Sequence, residues 1–154
     1  MTDTTEIRGV MIEVAGARLL LPNATISEVL SYAPPEPVAD APAWLLGRIR
    51  WRGWQLPLVS FARLAGTAEE SGGLGSKVAV LKAFGGDTRL PYFALLTSGF
   101  PRLVTVARDA LVADGDDGGE LPPGVRMRVL LNDDAAIVPD LDAIEGAVRE
   151  ALAA

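Results

Sequence analysis

The sequence predicts an all-β fold with a C-terminal helix, and three observations carry that prediction. Its 16 glycines and 11 prolines cut the chain into short apolar runs, a punctuation that suits strands better than long helices. Polar turns, Arg52-Gly53 and Asn132-Asp133-Asp134, sit between apolar runs as hairpin tips do. After Asp140 apolar residues recur at spacings of three and four, which is the period of a helix.

Residues 7–14 are apolar and rich in branched side chains, with Glu13 alternating out, as in a strand. Gly16 marks a turn, and residues 18–21 return as its hairpin partner until Pro22, which lacks a ladder donor. Residues 23–31 mix a short turn with a strand. Strict alternation would place Ile26 and Glu28 on one face and Ser27 and Val29 on the other, and taken alone Glu28 reads as a solvated strand position. Pro34, Pro35, Pro37 and Pro42 make residues 32–42 a stiff surface connection. Trp44, Leu45 and Leu46 then form an apolar plug, with Trp44 capping a core.

The stretch 47–66 reads as a hairpin with a helical tail: an apolar run to Trp51, a turn at Arg52-Gly53, and a second run through Pro57. Gly53 supplies the positive φ that such a turn needs. A Gly/Ser/Glu loop follows at 67–76, a strand at 77–84, a turn at Gly85-Gly86-Asp87, and a return strand at 90–97 with Pro91 at its start. Residues 100–106 give another strand. The composition of 113–124, with Asp114, Asp116, Asp117 and Glu120 among four glycines, is that of a solvated loop. Two strands, 125–131 and 135–138, flank the second hairpin tip. Asp140 then caps a helix whose stripe is Leu141, Ile144, Val148 and Leu152, weakened by Gly146.

An internal echo ties these pieces together. LPLVSFARLAG set beside AIVPDLDAIEG aligns Leu58 with Val138, Ser60 with Asp140, Phe61 with Leu141, Leu64 with Ile144 and Gly66 with Gly146. Both copies run hairpin, strand, cap, helix, which implies two related β-rich halves.

Hydrophobic residues make up 49% of the 154 and charged residues 22%, a globular balance sized for one domain. The net charge of −6 and the absence of a basic run argue against nucleic acid as a partner. Without cysteine or histidine the chain has no disulfide, no thiolate or imidazole ligand, and no His-activated nucleophile for Ser60, Ser71 or Ser98. No phosphate-cradling loop or nucleophile elbow is present. The N-terminal nonapeptide MTDTTEIRG lacks the apolar segment of a secretory signal, and no run reaches the length of a membrane span, so a cytoplasmic protein without membrane insertion is expected.

The acidic loop resembles the start of a calcium loop, but Val125 occupies the twelfth place, where a bidentate carboxylate belongs. No metal or cofactor is expected. Binding, and not catalysis, is the reading left, and Trp51, Arg52 and Trp54 are its best signal, since Trp and Arg are enriched where interfaces draw their energy. The alternative stays open that both tryptophans fill the core while Arg52 bonds carbonyls of its own turn.

The stretch GRIRWRGWQLPLVSF resembles the signature of the CheW-like adaptor family: a glycine, three variable positions, a bulky residue, Arg-Gly, then an apolar-Pro-apolar strand leading to a helix. Gly47, Arg52, Gly53 and Pro57 fall on it in order. Upstream, LLLPNATISEVL resembles the family's strand followed by a hydrophobic-x-Glu-hydrophobic run, here Ile26, Glu28 and Val29, and Asp140, Leu141 and Ile144 resemble its closing helix start. The resemblance covers nearly the whole chain. It departs at Thr97-Ser98-Gly99-Phe100, where the family commonly has Val-Asp-x-Val, and at Arg50-Trp51, which replace Asn-Leu.

The resemblance implies a single CheW-like domain over 1–154 built as two intertwined five-stranded β-barrel halves, roughly 7–66 and 77–150, exchanging strands. It implies a scaffold without enzymatic activity, coupling the cytoplasmic tips of methyl-accepting chemoreceptors to the regulatory domain of a CheA-type histidine kinase. Ile26, Glu28 and Arg52 would line the receptor groove, Gly47, Gly53 and Pro57 would be structural, and kinase contacts would come from strand edges and loops. The departures are similar to those of adaptors in type IV pilus, twitching-motility chemosensory systems. The runner-up is a small β-barrel hydrolase or a sugar- or metal-binding protein using the acidic loop.

Overall fold

The computed structural model describes residues 6–70, 72–86, 90–107, 110–113 and 121–153. Asp87, Ser71 and the acidic residues Asp114, Asp116, Asp117 and Glu120 lie outside the described residues.

Eleven strands among them form two sheets. The chain makes β1 (Glu6–Val14), β2 (Ala17–Pro22), a 3-10 turn (Asn23–Thr25), β3 (Ile26–Ser31), β4 (Leu45–Trp51), β5 (Trp54–Val59) and α1 (Phe61–Ala65). It continues with β6 (Lys77–Lys82), β7 (Tyr92–Thr97), β8 (Arg102–Ala107), β9 (Leu111–Ala113), β10 (Val125–Leu131), β11 (Asp134–Pro139) and α2 (Leu141–Ala153). The first sheet has the order β8-β1-β2-β11-β10-β9, and the second β3-β6-β7-β5-β4. Set aside β9, a three-residue strand with no signal in the sequence, and the two orders repeat each other. Each sheet is an outer strand, a hairpin, a parallel seam (β2 to β11, β5 to β7) and a second hairpin. The β1–β2 hairpin joins strands from late in the chain, while β6 and β7 join β3, β4 and β5.

The echoed corners are equivalent in detail. Trp51 pairs with Trp54, and the two residues between them, Arg52 and Gly53, have φ of 47° and 82°. Leu131 pairs with Asp134 around Asn132 and Asp133, at 51° and 72°. Both are two-residue loops with positive φ at each central position, whose twist matches that of the flanking strands. The helices that follow are capped alike: Ser60 Oγ accepts from Arg63 N at 3.2 Å, and Asp140 Oδ1 from Ala143 N at 3.1 Å. They differ in length. Gly66 takes a left-handed φ and ends α1, whereas α2 runs through Gly146 because Val148, fully buried, and Leu152 continue its apolar stripe into the core.

That main core lies between the sheets, where Ile12, Leu19, Leu81, Phe93 and Leu95 meet Phe61 of α1 and Ile144 of α2. Behind the first sheet Met11, Leu20, Val129 and Leu131 form a second cluster. Behind the second sheet Leu58, Val78 and Leu96 adjoin Trp51, Leu56 and Val80. Strands β2, β6 and β7 are thus buried on both faces, which is why they read as continuous apolar runs and not as alternation. Trp44 packs against the main core, as expected.

Two buried carboxylates hold the sheets in place. Glu70, in the loop after α1, accepts from Ala15 N at the β1–β2 turn (2.9 Å) and from Ser60 Oγ (2.7 Å). Glu145 of α2 accepts from the N–H groups of Phe84 and Gly85, just past β6, at 3.0 and 2.9 Å. Neither was singled out by sequence. Glu145 did leave a signal, a charge three residues from Val148 and four from Leu141, inside the apolar stripe.

Candidate functional site

The site grows from an irregularity in β3. Ile26 pairs with Leu81 and Glu28 with Val80, so two residues of β3 oppose one of β6. Such a bulge shifts the alternation that follows it. Ile26, opposite Leu81, packs against the core between the sheets. Glu28, opposite Val80, turns to the other side, where Trp51 lies with Val80 and Leu56. The expectation that Ile26 and Glu28 share a face is therefore corrected: the bulge separates them.

Arg52, by contrast, is brought to Glu28. Glu28 Oε1 accepts from Trp51 Nε1 at 2.9 Å and from Arg52 Nη2 at 3.0 Å. The Arg52 guanidinium lies 5.0 Å from the centre of the Trp51 ring, which stands edge-on to Tyr92 at 4.8 Å. Trp51 is buried, Trp54 is 40% exposed, and the Arg52 side chain is 70% exposed. The two alternatives for this cluster divide residue by residue. Trp51 fills the barrel interior, Trp54 faces solvent, and Arg52 bonds a distant carboxylate, not a carbonyl of its own turn.

Magnitudes sort the roles. An exposed ion pair contributes about 0.5 kcal/mol, whereas a buried N–H left without an acceptor costs about 1–3 kcal/mol. Glu28 thus matters to the fold chiefly through Trp51. Arg52 contributes little to stability, and its left-handed backbone costs on the order of 1 kcal/mol. The arrangement fixes a solvent-facing guanidinium by a ring face and a carboxylate. Beside it Arg50, Trp51, Arg52, Gly53, Trp54 and Gln55 line an open hollow of about 530 Å³.

Gly47 and Pro57 act behind this rim. Glu36, in the proline connection, exchanges two 2.8 Å backbone hydrogen bonds with Arg48. Gly47, at φ 147°, lets the connection approach, since a Cβ there would strike the Glu36 carbonyl. Pro57 is buried opposite Arg48, and the parallel pairing of β5 with β7 starts only at Leu58, past the missing donor. Thr97-Ser98-Gly99-Phe100 carries the chain from the second sheet to the first: Thr97 Oγ1 donates to Gly99 O at 2.7 Å and Ser98 N to Glu13 O at 2.8 Å. Among the described residues no three acidic side chains gather as a metal site, and no helix is long and apolar enough to cross a membrane.

Two packed barrels that exchange hairpins, with an arginine displayed at one rim, define a double-barrel all-β module. The family model for the CheW-like domain matches residues 8–147, and the chain belongs to that family. Its structure is similar to that of the scaffolding protein TtCheW from Thermoanaerobacter tengcongensis. The TM-score is 0.72 at 13% identity, covering 90% of this chain and 87% of that one, a likeness of fold. No curated protein matches the sequence.

Proposed function

We propose that this protein is a non-enzymatic scaffold that couples the cytoplasmic tips of methyl-accepting chemoreceptors to the regulatory domain of a CheA-type histidine kinase. The observation that carries the reading is the Glu28–Arg52 pair, fixed on an exposed rim by Trp51. Family membership supports a chemotaxis adaptor. The receptor surface centres on Glu28 and Arg52, with Ile26 supporting it from the core side of the bulge, while Gly47, Gly53 and Pro57 shape the hairpin behind it. The kinase domain meets strand edges and loops of both halves, 7–66 and 77–150. The working compartment is the cytoplasm, and a type IV pilus, twitching-motility pathway is the system that the departures at Arg50-Trp51 and Ser98 favour.

The test mixes the full chain with purified receptor tips and kinase regulatory domain. Binding to both with dissociation constants of tens of micromolar, on the order expected of weak signalling contacts, supports the reading. No association with either sinks it.

A further inference from the structure

The two sheets differ at their parallel seams. In the second sheet the seam is plugged by rings, since Trp51 at the β4–β5 tip stands against Tyr92 at the start of β7. Hairpin and seam registers put Leu131 and Arg18 at the matching places in the first sheet, so no pair of rings fills that end. There β2 and β11 pair at Leu19 and Ile137 alone. Ahead of that pair Ala17 and Arg18 are laddered to β1, and Ala135 and Ala136 to β10, with no partner strand between them. An open cleft of about 490 Å³ remains, lined by Glu13, Gly16, Ala17, Arg18, Arg128 and Ala135 among others.

Two strand edges facing a cleft present backbone N–H and C=O groups that an extended chain can satisfy. Charge selects which chain. Arg18 and Arg128 are exposed and, among the described residues, in no ion pair, against the one carboxylate of Glu13. On a protein of net charge −6 this is a local reversal of sign. By alternation Arg18 shares the side of Leu20, and Arg128, next to Val129, takes the opposite side. An inserted strand also alternates, so adjacent residues of a ligand meet one arginine each.

We infer that this seam binds an acidic, extended peptide segment of a partner protein, with neighbouring carboxylates on Arg18 and Arg128 and its backbone bonded beside Ala17 and Ala135. The cleft lies on the first sheet and the Glu28 rim on the second, so the two are separable. A fluorescein-labelled peptide of repeated Val-Glu-Glu is titrated into the ¹⁵N-labelled full chain, with repeated Val-Lys-Lys as control. The acidic peptide saturates at hundreds of micromolar or below, on the order of a short-peptide contact, and shifts the amides of Ala17, Arg18, Ala135 and Ala136. Reversing both exposed charges, Arg18→Glu with Arg128→Glu, weakens it on the order of tenfold at unchanged melting temperature. Ala135→Tyr, which puts a ring into the cleft from an exposed position on β11, blocks it without altering charge. Equal binding by the charge-reversed variant or by the lysine peptide, shifts confined to other strands, or no saturation overturns the inference.

Discussion

Glu28 and Trp51 stand on opposite edge strands of one five-stranded sheet, yet a 2.9 Å hydrogen bond joins them. No backbone ladder links β3 to β4. The sheet curls until its edges meet, and side chains complete the barrel: Leu30 and Ile49, one from each edge, share its interior.

Removing the acceptor should therefore open that closure. Glu28→Ala leaves the Trp51 N–H unpaired and is expected to lower stability by about 1–3 kcal/mol. Glu28→Gln keeps an acceptor for the indole, loses only the charge, and should cost less than about 1 kcal/mol. Urea denaturation followed by tryptophan fluorescence distinguishes them, and equal losses would show that Trp51 does not depend on this bond.

Arg52→Ala should separate function from fold. Melting is expected to stay within about 0.5 kcal/mol of the parent, as for an exposed substitution, while binding of receptor tips weakens. Arg52→Gly should be slightly more stable than Arg52→Ala, because glycine adopts a φ of 47° freely. A variant that unfolds would return Arg52 to a purely structural role.

At Gly47 the chain has no room for a methyl group. Gly47→Ala combines an unfavourable φ with a collision against the Glu36 carbonyl, and a loss of roughly 2 kcal/mol or more is expected. Hydrogen exchange at Glu36 and Arg48 amides would accelerate first, since their mutual bonds are what the methyl displaces.

Glu145 offers a buried counterpart. Glu145→Ala strips acceptors from two backbone N–H groups and should cost about 3 kcal/mol. Glu145→Gln keeps one carbonyl oxygen for two donors, so an intermediate loss is expected. Amide exchange at Phe84 and Gly85 reads the effect at the bonds themselves.

Much of this architecture is legible locally. Turn chemistry placed both hairpin tips, proline stopped β2, and the period after Asp140 gave α2. The Ser60 and Asp140 caps fell where the echo aligned them. What could not be read is set by partners far along the chain. The bulge that parts Ile26 from Glu28 exists only against β6, some fifty residues later, because twofold alternation cannot reveal a slip in register. β9 is three residues long, too short to show a period. Glu70 sits in a loop of ordinary polar composition, and its burial depends on Ala15 and Ser60.

The order of the strands also has a temporal meaning. All five strands of the second sheet lie between Ile26 and Thr97, whereas the first needs β1 and β2 from the start and β10 and β11 from the end. As the chain leaves the ribosome, the barrel bearing Glu28 and Arg52 has all its strands while the first hairpin still waits for its neighbours. The long wait favours slow completion and leaves the β2 edge open to wrong pairings until β11 is made.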